Sequence, residues 1–335
     1  TWGKLKNANK LYEKVSEIKQ LQILSKEKQL QTELNTRIVS LFYLSQIETL
    51  LNTQDEYANR LVKISEDAQK NGILLEQDVL EAKISAQQIN ITQQEIKEQF
   101  FNLLLSIQKM TGNQNLELAN INFTPNENIF YEFANRNKDE LFSKALNTTQ
   151  DTFLILENLE QISQYTTKIA QASVYWKPDF ALKLSLGYGG SRFPFLEKDW
   201  FRQNDYTTNF TLALKTTVWD GGNKINEIKK SKSNEEIAGV NYDDAVLSIK
   251  QKFQEQFNVI DLALSKIEYQ KLKLQTLDSK IKQQEQLFNS GYGSEQELLQ
   301  AKIERNTAQI ELEQNKLTLA GACSTAAFLC NEKLF

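Results

Sequence analysis

Val246, Phe253, Ile260, Ile267, Leu274, Ile281 and Phe288 fall on one unbroken seven-residue register, with Ile249, Phe257, Leu264 and Leu277 at places three or four residues away. A sustained apolar heptad defines a long supercoiled helix. The predicted helix opens after Trp219-Asp220-Gly221-Gly222 and closes at Gly291. At about 1.5 Å per residue it reaches on the order of 100 Å, several times the diameter of a small domain. No compact globule needs such an element.

The same plan occurs twice. Gly72 matches Gly291 and Gly3 matches Gly222, and Gln77-Asp78-Val79-Leu80-Glu81-Ala82-Lys83-Ile84 lines up with Gln296-Glu297-Leu298-Leu299-Gln300-Ala301-Lys302-Ile303, all at an offset of 219. In the first copy Leu11, Val15, Ile18, Leu21, Leu24, Leu30, Leu34, Ile38, Leu41, Leu44, Ile47 and Leu51 recur mostly at threes and fours, predicting a helix from 4 to about 70. A return helix follows from about 75 to 110, carrying Val79, Ala82, Ala86, Ile89, Ile96, Phe100, Leu103, Ile107 and Met110. The second return series keeps Leu298, Ala301, Ala308, Leu312, Leu319 and Ala322 but has Arg305 and Asn315. Each half is therefore expected to be an antiparallel helical hairpin. Its turn lies at the glycine, which enters the left-handed conformation cheaply.

Composition agrees with long elements. Only 12 glycines and 3 prolines occur in 335 residues, and Pro125, Pro178 and Pro194 all lie outside the four periodic helices. Mixed charges with a net of -4 give no reason to expect nucleic acid. The chain has no histidine, the commonest metal ligand and general base. With no Gly-rich phosphate loop, no cysteine cluster and no serine nucleophile in a recognisable context, no catalytic, cofactor or metal site is expected, and the chain does not read as an enzyme. Cys323 and Cys330 would share a helix face roughly 10 Å apart, too far for a disulfide, and read as small packed residues. No apolar run approaches the roughly 20 residues of a membrane-spanning helix, but a membrane strand needs only about 9–11.

Between the two halves, Asn113 to about Asn137 is Asn-rich and reads as irregular; a short helix near Asp139 to Leu146 and a longer one from Asp151 to Ser173 follow. Then the period changes to two. Phe180, Leu182, Leu184, Leu186 and Tyr188 alternate with Ala181, Lys183, Ser185 and Gly187, and Phe210, Leu212 and Leu214 alternate with Thr211, Ala213 and Lys215. These are strands. Aromatics bracket them, Tyr175, Trp176 and Tyr188 on the first, Tyr206 and Trp219 on the second. Such spacing suits aromatic girdles on either side of an apolar band about 25 Å tall. One hairpin cannot satisfy its own edges, and in lipid only a closed barrel can. Closure then requires several chains. Because Thr1 begins in the middle of what is elsewhere a motif, the duplication leads us to expect a further hairpin before Trp2.

These residues resemble the TolC family of outer-membrane efflux proteins over nearly the whole chain. The resemblance rests on Val218-Trp219-Asp220-Gly221-Gly222 at a strand-to-helix junction and on Gly291-Tyr292-Gly293-Ser294-Glu295-Gln296-Glu297-Leu298-Leu299-Gln300-Ala301 at a helical turn. It rests also on Ala170 to Tyr188 leading through Pro178 into a strand, and on the duplication. It implies a mainly α fold with a small transmembrane β part: a homotrimer whose helical hairpins form an α-barrel across the periplasm and whose twelve strands form an outer-membrane β-barrel. No cofactor is implied. The implied partners are outer-membrane lipid, a periplasmic adaptor protein and an inner-membrane transporter, in drug or metal efflux or in type I secretion. The implied division is a first hairpin at 1–112, an equatorial region at 113–173, a strand hairpin at 174–219 with an extracellular loop at 189–205, a second hairpin at 220–322 and an equatorial tail at 323–335.

By the same resemblance Asp78, Glu81, Glu297 and Gln300 would narrow and charge the periplasmic entrance. Gly72, Ile73 and Leu74, with Gly291, Tyr292 and Gly293, would be the tips that dock the adaptor. Helix N-terminal acids stabilised by the dipole, and ordinary hairpin turns, account for the same residues without either role. A basic residue and a tyrosine that lock the entrance in the family are replaced here by Gly293 and Phe288. Two other readings compete: a soluble coiled-coil scaffold, which leaves the aromatic-bracketed strands unexplained, and a periplasmic adaptor, which has one hairpin and far more strand.

Overall fold

The computed structural model of the chain describes residues 2–117, 121, 123–147, 151–174, 177–189, 206–217 and 219–334, with only the backbone at 144–147. In chain order the elements are α1 (Lys4–Lys70), α2 (Glu76–Thr111), α3 (Glu127–Ala134), α4 (Lys138–Asn147), α5 (Asp151–Gln171), β1 (Asp179–Tyr188), β2 (Tyr206–Lys215), α6 (Asn223–Asn289) and α7 (Glu295–Leu329). The fold is mainly helical with a small two-stranded sheet. Contacts divide the chain into two compact units, one of Thr1–Leu24 with Asp151–Val246, the other of Ser25–Gln150 with Leu247–Phe335.

The larger unit holds both hairpin turns, and the two turns are built alike. After α1, the Gly72 N–H bonds the Gln69 carbonyl and the Ile73 N–H the Ala68 carbonyl, both at 2.9 Å; after α6, Gly291 bonds Phe288 and Tyr292 bonds Leu287, both at 3.0 Å. Each donor and acceptor in the second turn lies 219 residues beyond its counterpart. The crossed pair of bonds satisfies the last helical carbonyls and needs a left-handed residue, supplied by Gly72 at φ 72° and Gly291 at φ 76°.

The apolar seams predicted from periodicity form the core of this unit. Phe253, Phe257, Ile260, Ile267, Leu274 and Leu277 of α6 are buried with Ala308, Leu312, Leu319 and Ala322 of α7 in one cluster. Leu44, Ile47, Leu51 and Ala58 of α1 are buried with Ile89 and Ile96 of α2 in another. The register is not buried throughout: Leu30, well inside α1, and Phe288, at the end of α6, are exposed.

Two expectations are corrected. The stretch from Asn113 to Asn137 is not all irregular: α3 forms within it, its start capped by the Asn126 side chain, which accepts the Asn128 N–H at 3.2 Å. Phe130, Phe133 and Ala134 of α3 enter the core beside Phe257 and Cys323. The second hairpin also does not stop at residue 322, because α7 runs on to Leu329 and buries Cys323, Ala326 and Ala327. Cys323 and Cys330 are both buried.

In the smaller unit β1 and β2 form an antiparallel ladder whose register sorts the side chains by chemistry. Phe180 lies opposite Leu214, Leu182 opposite Leu212, Leu184 opposite Phe210, Leu186 opposite Thr208 and Tyr188 opposite Tyr206. That face is apolar except for one threonine. The other face pairs Asp179 with Lys215, Ala181 with Ala213, Lys183 with Thr211, Ser185 with Asn209 and Gly187 with Thr207. The turns that lead into α1 and α6 also recur: Trp2 and Gly3 take φ 51° and 84°, Gly221 and Gly222 φ 67° and 85°. Asn7 then bonds the Gly3 carbonyl at 2.9 Å, as Asn226 bonds Gly222 at 3.0 Å.

Candidate functional site

Three groups of residues make up the candidate site: the hairpin tips, the polar residues that open the return helices, and the strand ladder. At the tips the turns present apolar side chains to solvent. Ile73 is 74% exposed and Tyr292 87%. Leu74, expected to be part of this surface, is only half exposed. Its neighbour Leu75 is 72% exposed. Gly293 is held by space rather than by backbone conformation, since a Cβ there would lie 2.9 Å from the Leu287 Cβ and from the Phe288 nitrogen. No larger side chain fits at that point of the turn.

Asp78 and Glu81 stand at the start of α2, Glu297 and Gln300 at the matching turn of α7. Asp78 is a capping residue: its carboxylate accepts the Leu75 N–H at 3.0 Å. Glu81 accepts from the Gln77 amide at 3.1 Å. In α7 the cap is Ser294, whose hydroxyl accepts the Glu297 N–H at 3.2 Å, leaving the Glu297 side chain exposed with Gln300. Among the described residues no hydrogen bond or ion pair joins the first-copy pair to the second.

A pair that periodicity did not reveal links the two hairpins. Glu295, the first residue of α7, receives two hydrogen bonds from the Arg60 guanidinium, at 2.9 and 3.2 Å. This contact holds the Glu295 carboxyl below the usual carboxylate range. Higher on the helices a partly buried cluster gathers Lys316, Glu313, Glu127 and Tyr43. The Lys316 ammonium lies 3.1 Å from Glu127 and 3.3 Å from Glu313. Burial works to lower the Lys316 pKa, but the two carboxylates outweigh it and hold the group above its ordinary value. Burial and the neighbouring Glu127 push the Tyr43 hydroxyl upward.

On the ladder, Tyr188 and Tyr206 pack ring to ring at 5.1 Å, so the two aromatics expected at the loop end do meet. Trp219 stands 82% exposed beyond the other end of β2. There the Trp2 indole N–H donates to the Pro178 carbonyl at 2.8 Å, and Lys4 pairs with Asp179 at 2.6 Å. Tyr175, Trp176 and most of the loop 189–205 lie outside the described residues.

A two-stranded ladder with one apolar face, joined to duplicated helical hairpins of this length, is the build of an outer-membrane channel protein. A sequence profile of the outer membrane efflux protein family matches residues 154–325, just over half of the chain, which therefore belongs to that family. The fold agrees. The crystal structure of the outer membrane protein VceC from Vibrio cholerae superposes with a TM-score of 0.75 at 14% identity, over 100% of this chain and 77% of that one. The Campylobacter jejuni CmeC outer membrane channel gives 0.75 at 13% identity, over 98% and 68%. A membrane protein from Pseudomonas aeruginosa gives 0.77 at 13%, over 98% and 72%. No curated protein sequence matches.

Proposed function

We propose that the chain is one subunit of a homotrimeric exit duct, in which the strand ladders close a shared barrel in the outer membrane and the helical hairpins line a tube in the periplasm. The ladder β1–β2 carries this reading. Phe180, Leu182, Leu184, Leu186, Phe210, Leu212 and Leu214 are all exposed on one face of a two-stranded sheet that cannot cover them. At about 3.3 Å per residue and a tilt near 40°, ten-residue strands rise roughly 25 Å, the height of the apolar band in outer-membrane barrels. Both strands have 10 residues. On α6, Leu262 and Tyr269 are also exposed, apolar surface that neighbouring copies would bury.

Such a duct performs no chemistry. Solutes would reach it from an inner-membrane transporter through a periplasmic adaptor, in efflux or type I secretion, with docking at Ile73, Leu75, Tyr292 and the glycines beside them. Asp78, Glu81, Glu297 and Gln300 would line the entrance. The test is purification followed by cross-linking and planar-bilayer recording. Detergent-dependent extraction, a three-copy cross-linked species and stepwise conductance are expected. A monomer that stays in the aqueous fraction without surfactant and never conducts overturns the proposal.

A further inference from the structure

The polar face of the ladder carries a charge that the duct reading leaves unused. Its ionisable groups are Asp179, Lys183 and Lys215. Asp179, at the base, is engaged by Lys4 at 2.6 Å and lies opposite Lys215 in the ladder. Lys183 is different. It sits in mid-strand, opposite Thr211, with Ser185 and Asn209 forming the next pair and Ala181 and Ala213 the previous one. None of these neighbours is a carboxylate, and among the described residues Lys183 has no ion pair. Its surroundings are hydroxyl, amide and methyl groups, which can help hold an anion and cannot neutralise the ammonium.

We propose that Lys183 is a selectivity residue: one ammonium from each copy forms a ring on the inner wall of the barrel that favours small anions and solutes with carboxylate or phosphate groups over cations. The inference rests on the duct reading, which turns the apolar face to lipid and this face to water. Selectivity in water-filled pores follows such rings of fixed charge. A barrel lumen is wide and hydrated, so the ring acts through a screened field. The Debye length is about 8 Å at physiological ionic strength, roughly 30 Å at 0.01 M salt and about 3 Å at 1 M. The effect must therefore be large in dilute salt and vanish in concentrated salt.

Reversal potentials across a planar bilayer under a KCl gradient test it, comparing the wild-type chain with Lys183→Gln and Lys183→Glu. Near 0.01 M salt the chloride-to-potassium permeability ratio should fall about twofold in Lys183→Gln and further in Lys183→Glu, and the three should converge at about 1 M. Lys183→Cys supplies a second measurement on a single folded channel. Cys323 and Cys330 are buried, so a thiol reagent meets only the new cysteine. A cationic thiosulfonate should restore the wild-type ratio and an anionic one should depress it. Wild-type channels that conduct while every Lys183 variant keeps the same ratio in dilute salt overturn this inference alone. A wild-type chain that forms no channel overturns the duct reading as well.

Discussion

Arg60 of α1 grips Glu295 of α7 through two hydrogen bonds, and the pair has no counterpart in the duplicated plan. At the offset of 219 its equivalents are Ser279 and Glu76, which cannot form an ion pair. The pair Glu66–Lys83, at 2.7 Å, does recur, as Glu285–Lys302 at 3.1 Å. The recurring pairs close each hairpin on itself; the single one fastens one hairpin to the other. Both partners are exposed, so Arg60→Ala or Glu295→Gln should leave the unfolding midpoint nearly unchanged. Spin labels on the two tips should nevertheless report a broader distance distribution. The wild-type distribution should broaden in the same way in acid. Because Glu295 titrates below its ordinary range, its contribution is present above the ordinary carboxylate pKa and is lost as pH falls through the depressed value. Identical distributions at neutral pH and in strong acid contradict this.

Ile73, Leu75 and Tyr292 expose apolar surface that the chain does not use. Charged substitutions there should spare folding, since no packing is lost, and should abolish adaptor capture. Co-purification of Ile73→Asp/Tyr292→Asp with a periplasmic adaptor, set beside Leu74→Asp, measures it. Leu74→Asp, at the half-buried position, should lower stability instead. Undiminished capture by the double variant removes the tips from the docking surface.

Lys316 is the counter-charge of Glu313, whose side chain is only 9% exposed. Lys316→Met leaves that carboxylate buried without its partner and should destabilise by about 3 kcal/mol, whereas Lys316→Met/Glu313→Leu should recover most of the loss. Denaturant titration of detergent-solubilised protein reads both. Equal losses in the single and double variants would mean that the cluster is held together by packing alone.

Leu184 and Ser185 are adjacent on β1 and point to opposite faces of the ladder. Lysine at 184 would meet lipid at mid-height, costing about 2–4 kcal/mol per copy, while lysine at 185 would meet water. The yield of membrane-inserted oligomer should therefore collapse in Leu184→Lys and persist in Ser185→Lys. Equal yields would place both faces of the strand in water.

The helices and strands were readable because their side-chain periods differ and because a second copy repeats the first. Gly72 and Gly291 proclaim the turns, and Leu182 against Lys183 proclaims the sheet. The sequence did not disclose α3, because eight residues make barely two helical turns and Asn126 and Asn128 disguise them as loop. Nor could spacing show that Leu75 rather than Leu74 faces solvent, since that depends on how the chain leaves the turn. The Arg60–Glu295 contact spans 235 residues and breaks the repeat, so neither local pattern nor duplication could find it.

A polypeptide that contains almost the same hairpin twice faces a matching problem while it folds, since oily seams alone do not tell α2 from α7. Gln270 is one place where the two copies differ. It stands where the first copy has Leu51, is buried, and donates its amide to Glu311 of α7; the residue of α2 at the corresponding place is Thr92. A decoy pairing of α6 with α2 deprives that amide of its carboxylate acceptor, at a cost of about 1–3 kcal/mol. One hydrophilic layer would thus favour the proper mate over its near twin, as a lone asparagine does in a zipper.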